Sequence, residues 1–503
     1  MLRVTDVQTM RQSDAETIRR GTSGRELMWR AGEGIFHAYP WKGPVAIVCG
    51  SGNNAGDGYV LAMLLHRGNI PCRLILLEDR FSPDGAYYYK KCKEVGVPSA
   101  FFSSETDFSE DTEIVDCIFG TGFSGSVGGV AREAIERINQ SGRTVISVDI
   151  NSGLNGNNGL SDCCVRSDLT VSVGFYQNGH FLNRAKDVIG RLVNVDIGID
   201  LYGECAYLLE SCDVASIFKP RLQDSHKGSY GYVSIMGGCT EYAGAVKLAN
   251  LSCAALRSGC GVAQLIVPMS LQTAVAPYLL ESTLALLPDE NGHMLYDPVL
   301  LDRVLAKQKA LAIGMGWGRS EANEKILSHI LEQYAFPVVI DADAINTLAG
   351  MDKTILRKTA CQVILTPHPM EMERLTGVSV SEIRRDPIGV ASKFAAEYGV
   401  CVLLKGACTV VTDGNITYLV NRGCAGMATA GSGDVLSGIL AGLLGFSTPD
   451  ALTVACGAYI AGLAGELAEA DTNPISMTAS DTVSHISKAI SLLIAKKTSY
   501  EVQ

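Results

Sequence analysis

Gly423-Cys424-Ala425-Gly426-Met427-Ala428-Thr429-Ala430-Gly431-Ser432-Gly433-Asp434 runs into the apolar stretch Val435-Leu436-Ser437-Gly438-Ile439-Leu440. Glycines among small residues let a backbone turn tightly and approach a ligand closely. A helix starting just after Gly433 turns its free N–H groups toward that loop, where they favour an anion. Asp434 then stands in the first helical turn, where the dipole favours its ionised form. The stretch reads as a carboxylate base beside a phosphate-sized anion hole. A lone Gly-Ser-Gly-Asp is more often a plain turn, so the reading depends on what the rest of the chain supplies.

Working outward, the second half of the chain repeats one arrangement. Short apolar runs end in polar or glycine-rich turns: Gly314-Met315-Gly316-Trp317-Gly318, Asp341-Ala342-Asp343-Ala344-Ile345-Asn346, Thr366-Pro367-His368-Pro369-Met370-Glu371-Met372-Glu373-Arg374 and Lys405-Gly406. The strands expected before these turns are 311–313, 338–340, 363–365 and 400–404, preceded by 232–235 and 263–267. Helices are expected at Ala243–Ser258 and Glu321–Tyr334. Glycines for close approach, Lys405 for a phosphate and acids for a metal or proton transfer make a nucleotide-handling assortment.

The first half has the same grammar. Pro44–Cys49 reads as a buried strand that feeds Gly50-Ser51-Gly52-Asn53-Asn54-Ala55-Gly56-Asp57-Gly58 and then a helix from Tyr59. Further strands are expected at 73–77, 113–119, 144–148 and 169–173. The third runs into Gly120-Thr121-Gly122-Phe123-Ser124-Gly125-Ser126 and the fourth into Asp149-Ile150-Asn151-Ser152-Gly153. Open parallel sheets bind ligands at such strand ends. Capping boxes at Thr5–Gln8 and Ser23–Glu26 predict that the domain opens with helices. The boundary is placed near residue 213, giving domains 1–212 and 213–503.

At 503 residues and 47% hydrophobic, the chain can build more than one sizeable core. A net charge of −11 argues against a nucleic-acid surface. No uninterrupted apolar stretch reaches the ~18 residues of a membrane span, and no signal segment opens the chain. The 16 cysteines lie scattered, without metal-site spacing, and are expected as reduced thiols in a cytoplasmic protein.

Several of these motifs together resemble a known family. His226-Lys227-Gly228-Ser229-Tyr230-Gly231, Val339-Ile340-Asp341-Ala342-Asp343-Ala344, Thr366-Pro367-His368-Pro369 and Gly426-Met427-Ala428-Thr429 through Asp434 resemble the ADP-dependent NAD(P)H-hydrate dehydratases, which have a ribokinase-like fold. Asn53 to Gly58, Gly120-Thr121-Gly122 and Val148-Asp149-Ile150-Asn151-Ser152-Gly153 resemble the NAD(P)H-hydrate epimerases. Epimerase followed by dehydratase is the order of the bifunctional NAD(P)H-hydrate repair enzymes. The resemblance implies two α/β domains, a Rossmann-like three-layer sandwich and a ribokinase-like one. It also implies hydrated NADH and NADPH (NADHX, NADPHX) and ADP as ligands, and homo-oligomers.

The resemblance implies residue roles too. Asn53, Asn54, Ala55, Gly56 and Asp57 with Gly120, Thr121, Gly122, Phe123, Ser124, Gly125 and Ser126 would bind the hydrate in the first domain. Asp149 would contact it and transfer a proton. Asn54, Asp116 and Ser152 would coordinate potassium. In the second domain Ala243, Gly316, His368, Pro369, Met370, Glu371, Met372, Glu373, Arg374 and catalytic Asp434 would face the hydrate. Lys405, Gly406, Ala407, Cys408 and Thr409, with Ala425, Gly426, Met427, Ala428, Thr429, Ala430, Gly431, Ser432 and Gly433, would hold ADP with its magnesium ion. The chain departs from the family pattern at Cys424-Ala425 (Asn-Pro expected), at Ala55, Met370 and Ala430 (glycine expected) and at Asn151 (proline expected). Two other readings stay open here. One is a ribokinase-like small-molecule kinase, with Asp434 deprotonating an alcohol. The other makes the first domain a non-catalytic binding module.

Overall fold

The computed structural model describes residues 1–254 and 258–500. One compact unit spans Arg3–Ala206 and another runs from Tyr207 onward, with Met1–Leu2. The boundary expected at 213 falls inside a short helix, Ser211–Ala215.

The first unit opens with a strand, β1 (Leu2–Thr5), rather than with helices. Val4 and Thr5, both fully buried, pair with Tyr176 and Gln177 of β8 (Tyr176–Gln177), and that tertiary pairing outweighs the local capping signal. The helix after it, Val7–Arg19, is capped by Asp6, not Thr5. Ser23 caps the next helix, Gly24–Ala38, as the sequence predicts.

The main sheet holds β2 (Val45–Cys49), β3 (Cys72–Leu76), β4 (Ser99–Phe101), β5 (Glu113–Cys117), β6 (Thr144–Val148), β7 (Ser167–Val173) and β9 (Ile189–Val195). All pair in parallel, in the order 4-3-2-5-6-7-9. Short β4 and half-exposed β9 escape the sequence reading because their burial is weak. On β2, Val45, Ile47 and Cys49 join a core with helices on one face, while Ala46 and Val48 join a second core containing Ala134, Ile135 and Ile138. Both faces are therefore covered, as a parallel sheet requires. The order reverses between β2 and β5, so the crevice at their carboxyl ends is the natural ligand site.

The second unit contains β10 (Ala206–Leu208), β11 (Tyr232–Gly237), β12 (Val262–Pro268), β13 (Thr283–Leu287), a hairpin of β14 (Asp289–Glu290) and β15 (His293–Met294), then β16 (Ala310–Met315), β17 (Val338–Ile340), β18 (Val363–Leu365), β19 (Cys401–Leu404), β20 (Thr409–Thr412) and β21 (Thr417–Val420). Its sheet runs 13-12-11-16-17-18-19-20-21-10. The pairs from β13 to β19 are parallel, and β20 and β21 add antiparallel. The reversal lies between β11 and β16. The helix expected at Ala243–Ser258 is observed over Ala243–Ala254, and its last predicted residues include positions 255–257, outside the described residues. Helix Ala451–Asp471 is long and apolar enough by composition to cross a membrane, but 78% of its apolar window is buried inside the fold, the mark of a core helix. None of the 16 cysteines is in a disulfide, and most of them are buried.

Candidate active sites

In the first unit the turn after β2 is shorter than the sequence suggests. Asn53 to Gly58 are the opening turns of a helix, Asn53–Arg67, with Gly52 at its start and no side chain capping it. Its first amides remain available to an anion. A Cβ at Gly50 would meet the Ile118 carbonyl oxygen at 2.1 Å, so glycine is required where β2 and β5 exit together. A cavity of about 540 Å³ opens there, lined by Asn53, Asn54, Asp57, Gly120, Thr121, Gly122, Phe123 and Asp149 among the expected residues. Ala55 and Gly56 are buried in the helix instead, and Ser124, Gly125 and Ser126 do not line the cavity. Buried Ala55 packs its methyl into the core where the family pattern expects glycine.

Asp149 is held in an uncommon geometry. Its φ is 65°, a region that non-glycine residues rarely occupy and that clusters at functional sites. Its Oδ2 accepts from Thr121 N–H at 2.7 Å. Its carbonyl oxygen accepts from His180 Nε2 at 2.8 Å, while Nδ1 of the same ring accepts from Gln177 N–H at 2.9 Å. Burial pushes His180 down to about 4, so the ring is neutral in this tautomer. His180 escaped the sequence reading because it sits in no strand-end motif. Burial also raises the Asp149 carboxyl, and burial with the nearby Asp149 and Asp14 charges raises Asp57 well above the usual carboxylate range.

Behind the cavity, fully buried Asp116 accepts from Ser147 Oγ and Ser152 N–H at 2.9 Å each and from Ile118 N–H at 3.2 Å, with Ser152 Oγ as a further donor. Burial lifts its carboxyl above the usual value even so. Asn54 donates Nδ2 to the carbonyls of Phe119 (3.0 Å) and Val148 (3.2 Å), which leaves its buried Oδ1 without a partner. An orphaned amide oxygen and a buried carboxylate with only neutral donors fit a hard, weakly charged cation. Asn151, where the family pattern expects proline, is wholly buried and donates to Val165 O, Ser167 Oγ and Val188 O at 2.9–3.1 Å. Those bonds fix the turn that proline would otherwise stiffen.

In the second unit the strand-end turns converge on Lys405. Its Nζ lies 3.0 Å from Asp341 Oδ1 and 3.8 Å from Glu371 Oε2. Ser437 Oγ donates to Asp341 Oδ2 at 2.7 Å. Burial alone would discharge both groups; the Asp341 and Glu371 charges instead hold Lys405 above its usual value, and Lys405 holds Asp341 below. Asp341 is the buried partner of this ion pair and has a second hydrogen bond from Ser437, while Lys405 stays partly open.

The deciding glycine loop runs beside this pair. A helix spans Ser432–Leu444 with Gly431 at its start (φ 95°) and no side-chain cap, two residues earlier than expected. A Cβ at Gly433 would stand 3.5 Å from Lys405 Nζ and 3.8 Å from Asp341 Oδ2. The buried Ser432 Oγ has no partner. Uncapped amides, an orphan hydroxyl and one lysine make an anion hole. Glu469 and Glu466 pin the loop by accepting from Gly426 N–H at 2.7 Å and Gly423 N–H at 2.9 Å. Ala425 opens a short turn, Ala425–Met427, a position where a proline's missing N–H costs nothing, so the swap keeps the path.

Asp434 differs from the sequence expectation. Burial first, then the Asp341 charge, push its carboxyl up to about 7. The helix dipole does not keep it ionised, because desolvation beside another carboxylate outweighs a half-charge.

His368 caps the helix Pro369–Thr376 through Nδ1, which accepts from Met370 N–H (3.1 Å) and Glu371 N–H (3.2 Å), and burial lowers its pKa. In return the Glu371 carboxylate accepts from His368 N–H at 2.8 Å, and burial raises the Glu371 carboxyl above its usual value. Met370 is 55% exposed, so a side chain in place of glycine meets solvent. Met372 is fully buried, and Arg374 donates to Asn346 Oδ1 at 2.7 Å. Gly316 has φ 58°, and a Cβ there would meet the Tyr242 carbonyl at 2.4 Å, next to Ala243. Cys408 is buried and Thr409 begins β20.

Known proteins share both halves. Residues 233–488 match the family model described as NAD(P)H-hydrate dehydratase, and residues 24–179 match that of the YjeF-related protein N-terminus. The chain is 35% identical over 458 residues to the bifunctional NAD(P)H-hydrate repair enzyme Nnr of Moorella thermoacetica, covering 87% of this chain and 85% of that one. It is 31% identical over 490 residues to the enzyme of that name from Coxiella burnetii, covering 95% and 97%. Among solved structures, the ADP/ATP-dependent NAD(P)H-hydrate dehydratase of Bacillus subtilis, co-crystallised with ATP and Mg2+, superposes with a TM-score of 0.50 at 27% identity, over 57% of this chain and 99% of that one. A ribokinase-like superfamily protein of Enterococcus faecalis gives 0.51 at 25%, over 58% and 98%.

Proposed function

The chain belongs to the bifunctional NAD(P)H-hydrate repair enzymes, and on that footing we propose how its two units divide the work. The protein interconverts the R and S epimers of hydrated NADH or NADPH and dehydrates the S epimer at the expense of ADP, giving AMP and phosphate. We assign epimerisation to the first unit, around Asp149, and dehydration to the second, around Asp434.

In the second unit, the uncapped amides of Ser432 and Gly433, with Lys405, hold the terminal phosphate of ADP. Asp434 takes the proton from the hydrate hydroxyl as that oxygen attacks the terminal phosphorus and AMP leaves. The ring nitrogen then expels phosphate, and a proton lost from the adjacent ring carbon restores the double bond. Atoms balance as hydrate plus ADP giving dinucleotide, AMP, phosphate and a proton. A pKa near 7 suits Asp434 to this task, since it binds and releases a proton close to neutrality. Asp341 and Glu371 keep Lys405 charged and aimed. Magnesium bound with the nucleotide would supply charge neutralisation on its phosphates.

In the first unit, the amides opening helix Asn53–Arg67 receive the pyrophosphate and Asp149 handles the proton at the hydrated ring. Asn54, Asp116 and Ser152 would hold a potassium ion, whose chemistry there is to neutralise a buried carboxylate and brace the Asp149 turn. Self-association and a cytoplasmic location complete the proposal.

The convergence of Asp434, Lys405 and Asp341 on the glycine loop carries this reading. Mixed hydrate supplied with ADP should return nicotinamide absorbance completely. Phosphorylation of an alcohol by ATP without hydrate turnover would restore the kinase reading, which the match of both units to repair enzymes disfavours.

A further inference from the structure

We propose that Asp14 is a second acid–base residue of the epimerase site, working with Asp149 on the same substrate carbon; this rests on the assignment of epimerisation to the first unit. Asp14 is carried by helix Val7–Arg19. Val7, Met10, Arg11, Asp14 and Ile18 recur at helical spacing and line the 540 Å³ cavity as one face. Asp149 reaches the same cavity from the carboxyl end of β6. The two carboxylates thus approach one ligand from different elements.

The other charged groups on the cavity wall are Arg11 on the same helix, Asp57 on the next βα helix and Asp84 on helix Pro83–Val95. Asp84 is neutralised by Arg25, with Arg25 Nε 3.2 Å from its Oδ1. Arg11 spends Nη2 on the Gly122 carbonyl at 3.4 Å. Among the described residues the Asp14 carboxylate accepts no hydrogen bond and joins no ion pair, although its backbone belongs to the helix. A half-buried carboxylate without a partner destabilises a fold, and such groups are retained where they act on a ligand. Burial raises the Asp14 carboxyl above its usual value, and its charge in turn raises Asp149 and Asp57.

The chemistry asks for two such groups. Water adds to the enamine of a reduced nicotinamide with its oxygen on the carbon next to nitrogen. Inverting that carbon breaks the C–O bond: the nitrogen lone pair forms C=N⁺, and the leaving hydroxyl takes a proton from one carboxylic acid and departs as water. A second water adds to the other face and gives its proton to the other carboxylate. One water leaves, one enters, and the two carboxyls exchange roles in the reverse direction. The cation formed between these steps is favoured by a cavity wall richer in carboxylates than in cations.

The test is epimer exchange by chromatography on the full-length protein, for Asp14→Asn, Asp14→Glu and Asp149→Asn, across pH 5.5–8.5. Dehydration of the S epimer is the folding control in each sample. Asp14→Asn should slow the turnover number of exchange by roughly 10²-fold, the usual worth of one general acid–base group, and flatten one limb of its pH profile. Asp14→Glu should recover part of the rate, and dehydration should not change. Exchange within twofold of wild type in Asp14→Asn, with Asp149→Asn inactive, would overturn the role of Asp14 and leave the epimerase assignment standing. A raised KM with unchanged turnover would overturn it too, making Asp14 a binding group. Exchange at the wild-type rate in both Asn variants would overturn the epimerase assignment itself.

Discussion

The two sites are built alike and charged differently. The first lies where strand order reverses and the second along the carboxyl ends of β17, β18 and β19, and each places an aspartate beside the uncapped start of a helix that follows a glycine turn. In the first unit, Asp14, Asp57 and Asp149 share a cavity whose neighbouring histidine is neutral and whose nearest cation, Arg11, points to a backbone carbonyl. In the second, a lysine stands between Asp341 and Glu371 and faces the helix amides. Moving protons on a ring needs carboxyls that can hold them. Moving a phosphoryl group needs fixed positive charge as well. The cation distinguishes the two sites more than the fold does.

The comparison breaks most visibly at Asp434. Asp434→Asn keeps size and hydrogen bonding but removes the base, so dehydration should fall by roughly 10²–10⁴-fold. ADP affinity, read by calorimetry, and epimer exchange should persist. Near-normal dehydration would remove Asp434 from the chemistry.

Lys405→Met comes next. It strands the buried Asp341 carboxylate, at a cost of about 3 kcal/mol, the usual penalty for removing one partner of a buried pair. Thermal unfolding should shift down by several degrees and ADP affinity should drop at least tenfold. Adding Asp341→Asn should return most of the stability and none of the affinity. A double variant as unstable as the single one would show that the pair is not what Lys405 contributes to the fold.

The smallest effect is on pH dependence. Asp434 is raised in the folded protein from an ordinary unfolded carboxyl to about 7. As pH rises between those values, ionisation favours the unfolded chain, and the penalty is complete above the folded pKa. Asp434→Asn should therefore gain a few degrees of melting temperature at pH 8 and progressively less toward pH 5. In the wild type, dehydration kcat/KM should fall as pH drops below about 7, because the base becomes protonated. A flat profile from pH 6 to 8 would contradict the raised pKa.

Much of this was legible in the sequence because strand ends and glycine turns are local signals. The loop at Gly431–Gly433, the turn at Gly120 and the aspartates at 149 and 434 declare themselves by what precedes and follows them. What stayed hidden depends on distant contacts. The pairing of Lys405 with Asp341 joins two strands far apart in sequence. His180 acts through the carbonyl of Asp149, and no pattern around Asn178-Gly179-His180 announces it. The first strand was masked by a capping signal in the same residues, and the state of Asp434 by a dipole argument blind to burial.

The central claim is that two separate sites carry the two steps in one chain. It is tested most directly by a progress curve: Asp149→Asn protein with an equal mixture of hydrate epimers and excess ADP, where uncatalysed epimer exchange is slow. The account predicts that absorbance rises at the wild-type rate and stops once the S epimer is consumed, with the remainder recovered on adding wild-type protein. Complete recovery by the variant at the wild-type rate would contradict it.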